Sequence, residues 1–269
     1  MAAPVITFLS DYGHRDDFVG VCHGVIATIC PEARVIDITH GLPRHDVLAG
    51  AIVLRNALPY MPAGVHLAVV DPDVGAERRA VALRLADGRV LVGPDNGLLS
   101  LAAATGDGIV EAADIGRSPF RLVPISATFH GRDIFAPVAA RIAAGASIRE
   151  AGDPLDPAEL VVVAAPGPAR DDGALVAHAL YVDHFGNVQL DVRHEDLAES
   201  GLRLGHRVVL QSGSETVVAQ FARTFADVGT GEPLVYEDAY RTLAVAVSGG
   251  DAAASLGLSP GDEVRITPA

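Results

Sequence analysis

Basic charge is scarce in this chain of 269 residues: 20 Lys and Arg stand against 34 Asp and Glu, for a formal net charge of −14. That shortage argues against nucleic-acid binding, which needs a basic face. It leaves a weak, salt-screened attraction for small cations, although most of the charge reads simply as solubility. Cysteine is nearly absent. Cys22 and Cys30 are the only two, and both belong to an apolar pattern around 18–29 that reads as a helix. Eight helical residues rise roughly 12 Å, too far for a disulfide, so both read as core thiols. No apolar run is long enough to cross a membrane. No basic leader with an apolar stretch opens the sequence, and a soluble cytoplasmic protein is expected. Internal repeats, low-complexity tracts and the HxH and HExxH patterns of zinc sites are also missing.

What is present is a core. Hydrophobic residues make up 49% of the chain, enough for one large or two modest domains. Strand patterns at 5–9, 34–38, 66–70, 81–85 and 90–92 alternate with helical ones at 18–29, 46–58, 98–104 and 134–144. This predicts βαβ units and a mostly parallel sheet, an N-terminal α/β sandwich over 1–164. Residues 165–173 are a linker by composition. Short strand-like segments beyond it, over 174–269, predict an antiparallel β-barrel.

Chemistry concentrates in four clusters. Asp71-Pro72-Asp73-Val74-Gly75-Ala76-Glu77-Arg78 follows the apolar run 66–70. A carboxylate at the end of a buried strand lies where open α/β sheets build their sites. Arg78 returns a permanent cation to its neighbourhood, and charges of this kind are seldom buried without being paired or used. The competing reading is an ordinary strand-ending turn. Ser10-Asp11-Tyr12-Gly13-His14-Arg15-Asp16-Asp17 is dense in polar groups. Asp11, His14, Asp16 and Asp17 crowd one loop without a metal-site spacing, and Asp16 or Asp17 more simply caps the next helix. Asp11, at the end of the first strand, is placed to take a ribose diol. The other two clusters are 126–133, with His130 before a helix, and Asp183-His184-Phe185-Gly186-Asn187. The last reads either as a β-turn or as a surface that stacks on and hydrogen-bonds a heterocycle.

Taken together, Ser10-Asp11-Tyr12-Gly13, Asp71-Pro72-x-Val74-Gly75-x-x-Arg78, Gly93-Pro94-Asp95-Asn96-Gly97-Leu98, Thr128-Phe129-His130-Gly131-Arg132-Asp133 and Asp183-His184-Phe185-Gly186-Asn187 resemble the S-adenosylmethionine hydrolases (hydroxide adenosyltransferases). These are relatives of the S-adenosylmethionine-dependent fluorinase and chlorinase. The resemblance covers nearly the whole chain, with Asp73 where the family usually has Gly. It implies hydrolysis of S-adenosyl-L-methionine to adenosine and L-methionine, with no metal or other cofactor. It implies a homotrimer with sites between neighbouring subunits. By resemblance Asp71, Arg78 and His130 are catalytic, and Asp11 holds the ribose. Phe185, Asn187, Phe225 and the backbone of Ala252 form the adenine pocket, and Asp183 pairs with the methionine ammonium. Thr128, Phe129 and Gly131 line the space at the 5′-carbon. Three alternatives stand beside this one: a halogenase, a non-catalytic adenosine or S-adenosylmethionine sensor, and a metal phosphoesterase.

Overall fold

A computed structural model describes residues 3–198 and 200–269. The chain divides between Val163 and Ala164 into two compact units. In the first, β1 (Val5–Ser10), β2 (Arg34–Thr39), β3 (Val65–Val69), β4 (Ala80–Leu85), β5 (Val90–Pro94), β6 (Ile109–Asp114) and β7 (Asp153–Pro154) form one sheet in the order β2-β1-β3-β5-β4-β6-β7. The β2, β1, β3 and β5 pairings are parallel, while β4, β6 and β7 join antiparallel. Parallel pairing is therefore confined to one half of the sheet.

Both faces are covered, which is why the strands read as continuous apolar runs rather than alternating ones. Ile6, Phe8, Leu67 and Val69 face α1 (Phe18–Ile29) and α4 (Ala136–Ala143). Leu9, Ala68 and Val70 face the opposite way, towards α2 (Val47–Ala57) and α3 (Ser100–Ala103). The result is a three-layer α/β sandwich, completed by α5 (Ile148–Ala151). Asp46 caps α2 by accepting from the Ala49 amide at 2.8 Å. Asp17 holds the corresponding position on α1 but makes no side-chain cap, contrary to the expectation for that loop. Cys22 and Cys30 are buried and unpaired, and burial pushes the Cys22 thiol up to about 12.

The second unit contains β8 (Ala169–Asp171), β9 (Ala174–Val182), β10 (Val188–Arg193), β11 (Arg207–Ser212), β12 (Glu215–Phe221), β13 (Pro233–Glu237), β14 (Thr242–Val247) and β15 (Glu263–Pro268). The order β10-β14-β13-β12-β11-β15-β9, with β9 pairing back onto β10, closes a barrel. Alternate residues such as Leu175, Ala177 and Ala179, or Val188, Leu190 and Val192, fill its interior. Short helices α6 (His194–Leu197) and α7 (Ala252–Leu256) complete this unit. β8 lies inside the stretch read as a linker and extends the sheet by pairing with β9. Among the described residues no helix is long and apolar enough to cross a membrane.

Candidate active site

Asp71 lies just beyond the C-terminal end of β3 and Arg78 just before β4, so one turn carries both. Gly75 lets the turn close. Its φ is +85°, and a Cβ there would run into the Ala127 carbonyl, so the turn rests directly on the second loop. That loop is fastened by Asp133, which is only 1% exposed. Asp133 accepts from the Ser126 amide at 2.7 Å and from the Arg132 guanidinium at 2.6 and 2.9 Å. His130 begins a wide π-type turn, Gly131–Phe135, that leads into α4. Such turns often mark functional positions. Gly131 has no room for a side chain, because a Cβ would collide with the Tyr12 hydroxyl.

The turn and the loop meet at Arg78. Its Nε donates to Asp71 Oδ1 at 2.8 Å, and its Nη2 donates to Asp71 Oδ2. This is the two-pronged fit of guanidinium to carboxylate, with side-chain exposures of 8% and 6%. The second Nη2 hydrogen reaches His130 Nδ1 at 2.8 Å. The Phe135 ring lies 5.2 Å beneath the guanidinium. An arginine has only donors, so His130 Nδ1 must be the acceptor. The imidazole is therefore neutral and carries its hydrogen on Nε2. Burial first, and then the Arg78 charge, hold the His130 pKa below its ordinary value; Asp71 and Asp133 pull it the other way without prevailing.

Asp71, His130, Asp11, Thr128, Phe129 and Gly131 line one cleft of ≈ 260 Å³. The first unit thus brings together its sequence-predicted site residues, with Arg78 paired to Asp71 and His130. Tyr12, Asp16, Phe18, Arg44, His45 and Val74 line the same cleft and were not singled out from the sequence as site residues. The motif around residues 10–13 was a signal for Tyr12. Tyr12, Phe18 and Phe129 form an aromatic wall with ring centroids 5.0–5.9 Å apart. Burial raises the Tyr12 hydroxyl well above its usual pKa, so it stays a neutral donor. His45 donates its amide to Asp11 Oδ2 at 2.9 Å from a backbone φ of 63°, which no sequence pattern announces. A larger cavity of ≈ 350 Å³ lies elsewhere in this unit, walled by Val81, Leu83, Leu99 and Leu160. Its one carboxylate, Asp95, is already engaged by Arg79 and by the Val161 amide. The smaller cleft is the one with chemistry.

The remaining predicted residues belong to the second unit, where the Asp183 loop and Ala252 are adjoining and Phe225 makes separate contacts. Asp183 organises the β9–β10 loop, accepting from the amides of Phe185 and Asn187 and from Asn187 Nδ2 at 2.8–2.9 Å. Phe185 is exposed. The Gly186 carbonyl accepts the Ala253 amide at 3.0 Å, which ties this loop to the start of α7 at Ala252. Ser248 donates to the Phe225 carbonyl at 3.1 Å, and the Phe225 ring meets Tyr236 at 5.0 Å.

Comparison with known proteins gives a consistent result. The model of the SAM hydroxide adenosyltransferase N-terminal domain matches residues 6–152, and that of the C-terminal domain matches 177–265. A Salinispora tropica protein named (R)-S-adenosyl-L-methionine hydrolase is 49% identical over 98% of this chain and 98% of its own. A fluorinase from an Actinoplanes species is 29% identical, covering 99% of this chain and 98% of its own. The crystal structure of an uncharacterized conserved protein from Thermotoga maritima superposes with a TM-score of 0.90 at 35% identity, covering 97% of this chain and 99% of that one.

The neutral Nε2–H form of His130 has a direct readout. In a histidine NMR titration, His130 should reach its midpoint below about 6.5, the ordinary value, and Arg78→Met should move that midpoint upward. A wild-type midpoint above 6.5 would contradict the assigned proton arrangement.

Proposed function

The chain belongs to the SAM hydroxide adenosyltransferase family, and we propose that it hydrolyses S-adenosyl-L-methionine to adenosine and L-methionine. The relatives' name specifies the R form, which we take as the substrate form here. One observation carries the reading: a carboxylate, a guanidinium and a neutral imidazole form one hydrogen-bonded unit on the cleft.

The chemistry asks little of the leaving group. Methionine departs from a sulfonium as a neutral thioether and needs no proton. Water is the weak partner, with a pKa near ~15.7 in bulk. The protein must hold it in line with the carbon–sulfur bond at roughly 3–3.5 Å and remove its proton. His130 Nε2–H donates to the attacking oxygen and so favours hydroxide character. Asp71, held by Arg78, accepts the proton, because His130 Nδ1 is occupied. The new bond joins oxygen to the 5′-carbon as the carbon–sulfur electron pair leaves with methionine. Asp11, positioned by the His45 amide, takes the ribose diol, and Thr128, Phe129 and Gly131 border the 5′-carbon. Phe185, Asn187, Phe225 and the Ala252 backbone take adenine. A carboxylate offers about four acceptor positions; Asp183 spends three on its own loop, which leaves one for the methionine ammonium. A halide would meet the Asp71 carboxylate as a like charge, which disfavours halogenation. The same proposal includes a cytoplasmic homotrimer whose sites draw the two sets of residues from neighbouring subunits.

Purified protein given S-adenosylmethionine in chelator-treated buffer should release adenosine and methionine with or without chloride and fluoride. Halogenated nucleoside as the only product, or activity lost to chelator and restored by a divalent ion, would overturn the reading. Asp71→Asn should lower kcat by roughly 10²-fold or more with a smaller change in KM, whereas Asp11→Ala should raise KM first. Equal effects on both constants in both variants would mean the roles are misassigned. For the shared site, inactive Asp71→Asn and Asn187→Ala proteins should regain activity when mixed under conditions that exchange subunits. A monomer in sedimentation, or no recovery once exchange is demonstrated, would refute the sharing.

A further inference from the structure

Away from the cleft, His23 of α1, Asp37 of β2 and His40, just past the end of β2, converge. One ligand atom from each lies within 4.8 Å of the others. Asp37 Oδ1 stands 2.9 Å from His23 Nε2 and 3.1 Å from His40 Nε2. His40 is fully buried, and its Nε2 makes no hydrogen bond despite that proximity. The ring is not free to turn away. Its Nδ1 lies 2.7 Å from Ser10 Oγ, and Phe8 meets it edge-on at 4.6 Å. A histidine fixed through one nitrogen with the other left open is how proteins present imidazole to a metal.

We propose that His23, Asp37 and His40 form a zinc-type divalent-metal site, with three protein ligands and an outer position for water. Ligands at 2.0–2.1 Å from a tetrahedral ion sit about 3.3 Å apart. The two nitrogen–oxygen separations present here need to open by only roughly a few tenths of an ångström to reach that edge. Two nitrogens and one oxygen suit zinc better than calcium or magnesium, which take oxygen ligands. The protonation states agree. Burial keeps the His40 pKa below its ordinary value, so the ring is neutral. Burial works against the Asp37 charge, but the His40 and His23 rings beside it outweigh that and lower its pKa. Side-chain exposures of 35% for His23 and 37% for Asp37 give an ion a route in from solvent. The site is tied to the Asp11 loop, since Gly13 donates to the His40 carbonyl at 2.7 Å and Ser10 holds the His40 ring. A bound ion would brace that loop without entering the cleft, so hydrolysis in chelator-treated buffer and metal binding here are separate claims.

Chelator-treated full-length protein should bind one equivalent of Co²⁺ with the visible absorption of a four-coordinate ion, be displaced by Zn²⁺, and melt at a higher temperature with zinc. His23→Ala and Asp37→Asn alter partly exposed side chains and should preserve the circular dichroism spectrum. Each should weaken zinc binding by about 10-fold or more and abolish the zinc-dependent rise in melting temperature. Absence of binding by the wild-type protein would mean that the two imidazoles merely share a carboxylate. Unchanged affinity in both variants would place any ion on other histidines. Either result overturns the proposal.

Discussion

A guanidinium that is 8% exposed sets the terms for everything around it. Arginine cannot shed its charge inside a protein, so the fold must surround it with acceptors. It does so from three directions. Asp71 takes two donors, His130 takes a third, and the Arg79 carbonyl receives Nη1 at 3.4 Å. Each acceptor comes from a different place in the chain, so the turn after β3, the start of β4 and the turn before α4 are fixed relative to one another. Removing a partner from such a group leaves a buried charge uncompensated, which is far more costly than losing a surface pair. The same requirement fixes the chemistry: His130 has no choice of tautomer while Arg78 donates to Nδ1.

Glycine at two positions is what lets this arrangement close. Gly75 brings the Asp71–Arg78 turn onto the Ala127 carbonyl, and Gly131 accepts the Tyr12 hydroxyl where any side chain would sit. The sequence pattern pointed to the first loop because turn-forming residues follow a strong apolar strand, and to the second because His130 and Gly131 stand before a helical pattern. Asp71 was legible as a carboxylate at a strand end, and its pairing with Arg78 was legible from their separation. What could not be read were relations across the fold. His45 reaches Asp11 from a left-handed backbone conformation. The helix read over 134–144 is entered through a π-type turn that starts at Gly131.

Besides the two-residue β7, three strands escaped for local reasons. β6, Ile-Val-Glu-Ala-Ala-Asp, has four of its six residues from types that disfavour strands. β13 begins with Pro233, tolerated there because a first-position proline loses no needed donor. β8 sat in a stretch whose glycines and prolines resemble a linker. The His23–Asp37–His40 cluster was invisible for a different reason: its members are spread over a helix, a strand and the residue beyond it, with no motif spacing. By contrast, most barrel strands were legible as short apolar segments between turns; Val188-Gln189-Leu190-Asp191-Val192 of β10 alternates, whereas β14 is apolar and buried along its length.

These relations converge on one chemical claim, that the site delivers water to a carbon and does not deliver a halide to it. The isotope test is direct. Turnover in H₂¹⁸O should place one ¹⁸O atom in the 5′-hydroxyl of the adenosine formed and none in the methionine. Adenosine without the label, or a 5′-halogenated product formed in its place when halide is present, would contradict the account.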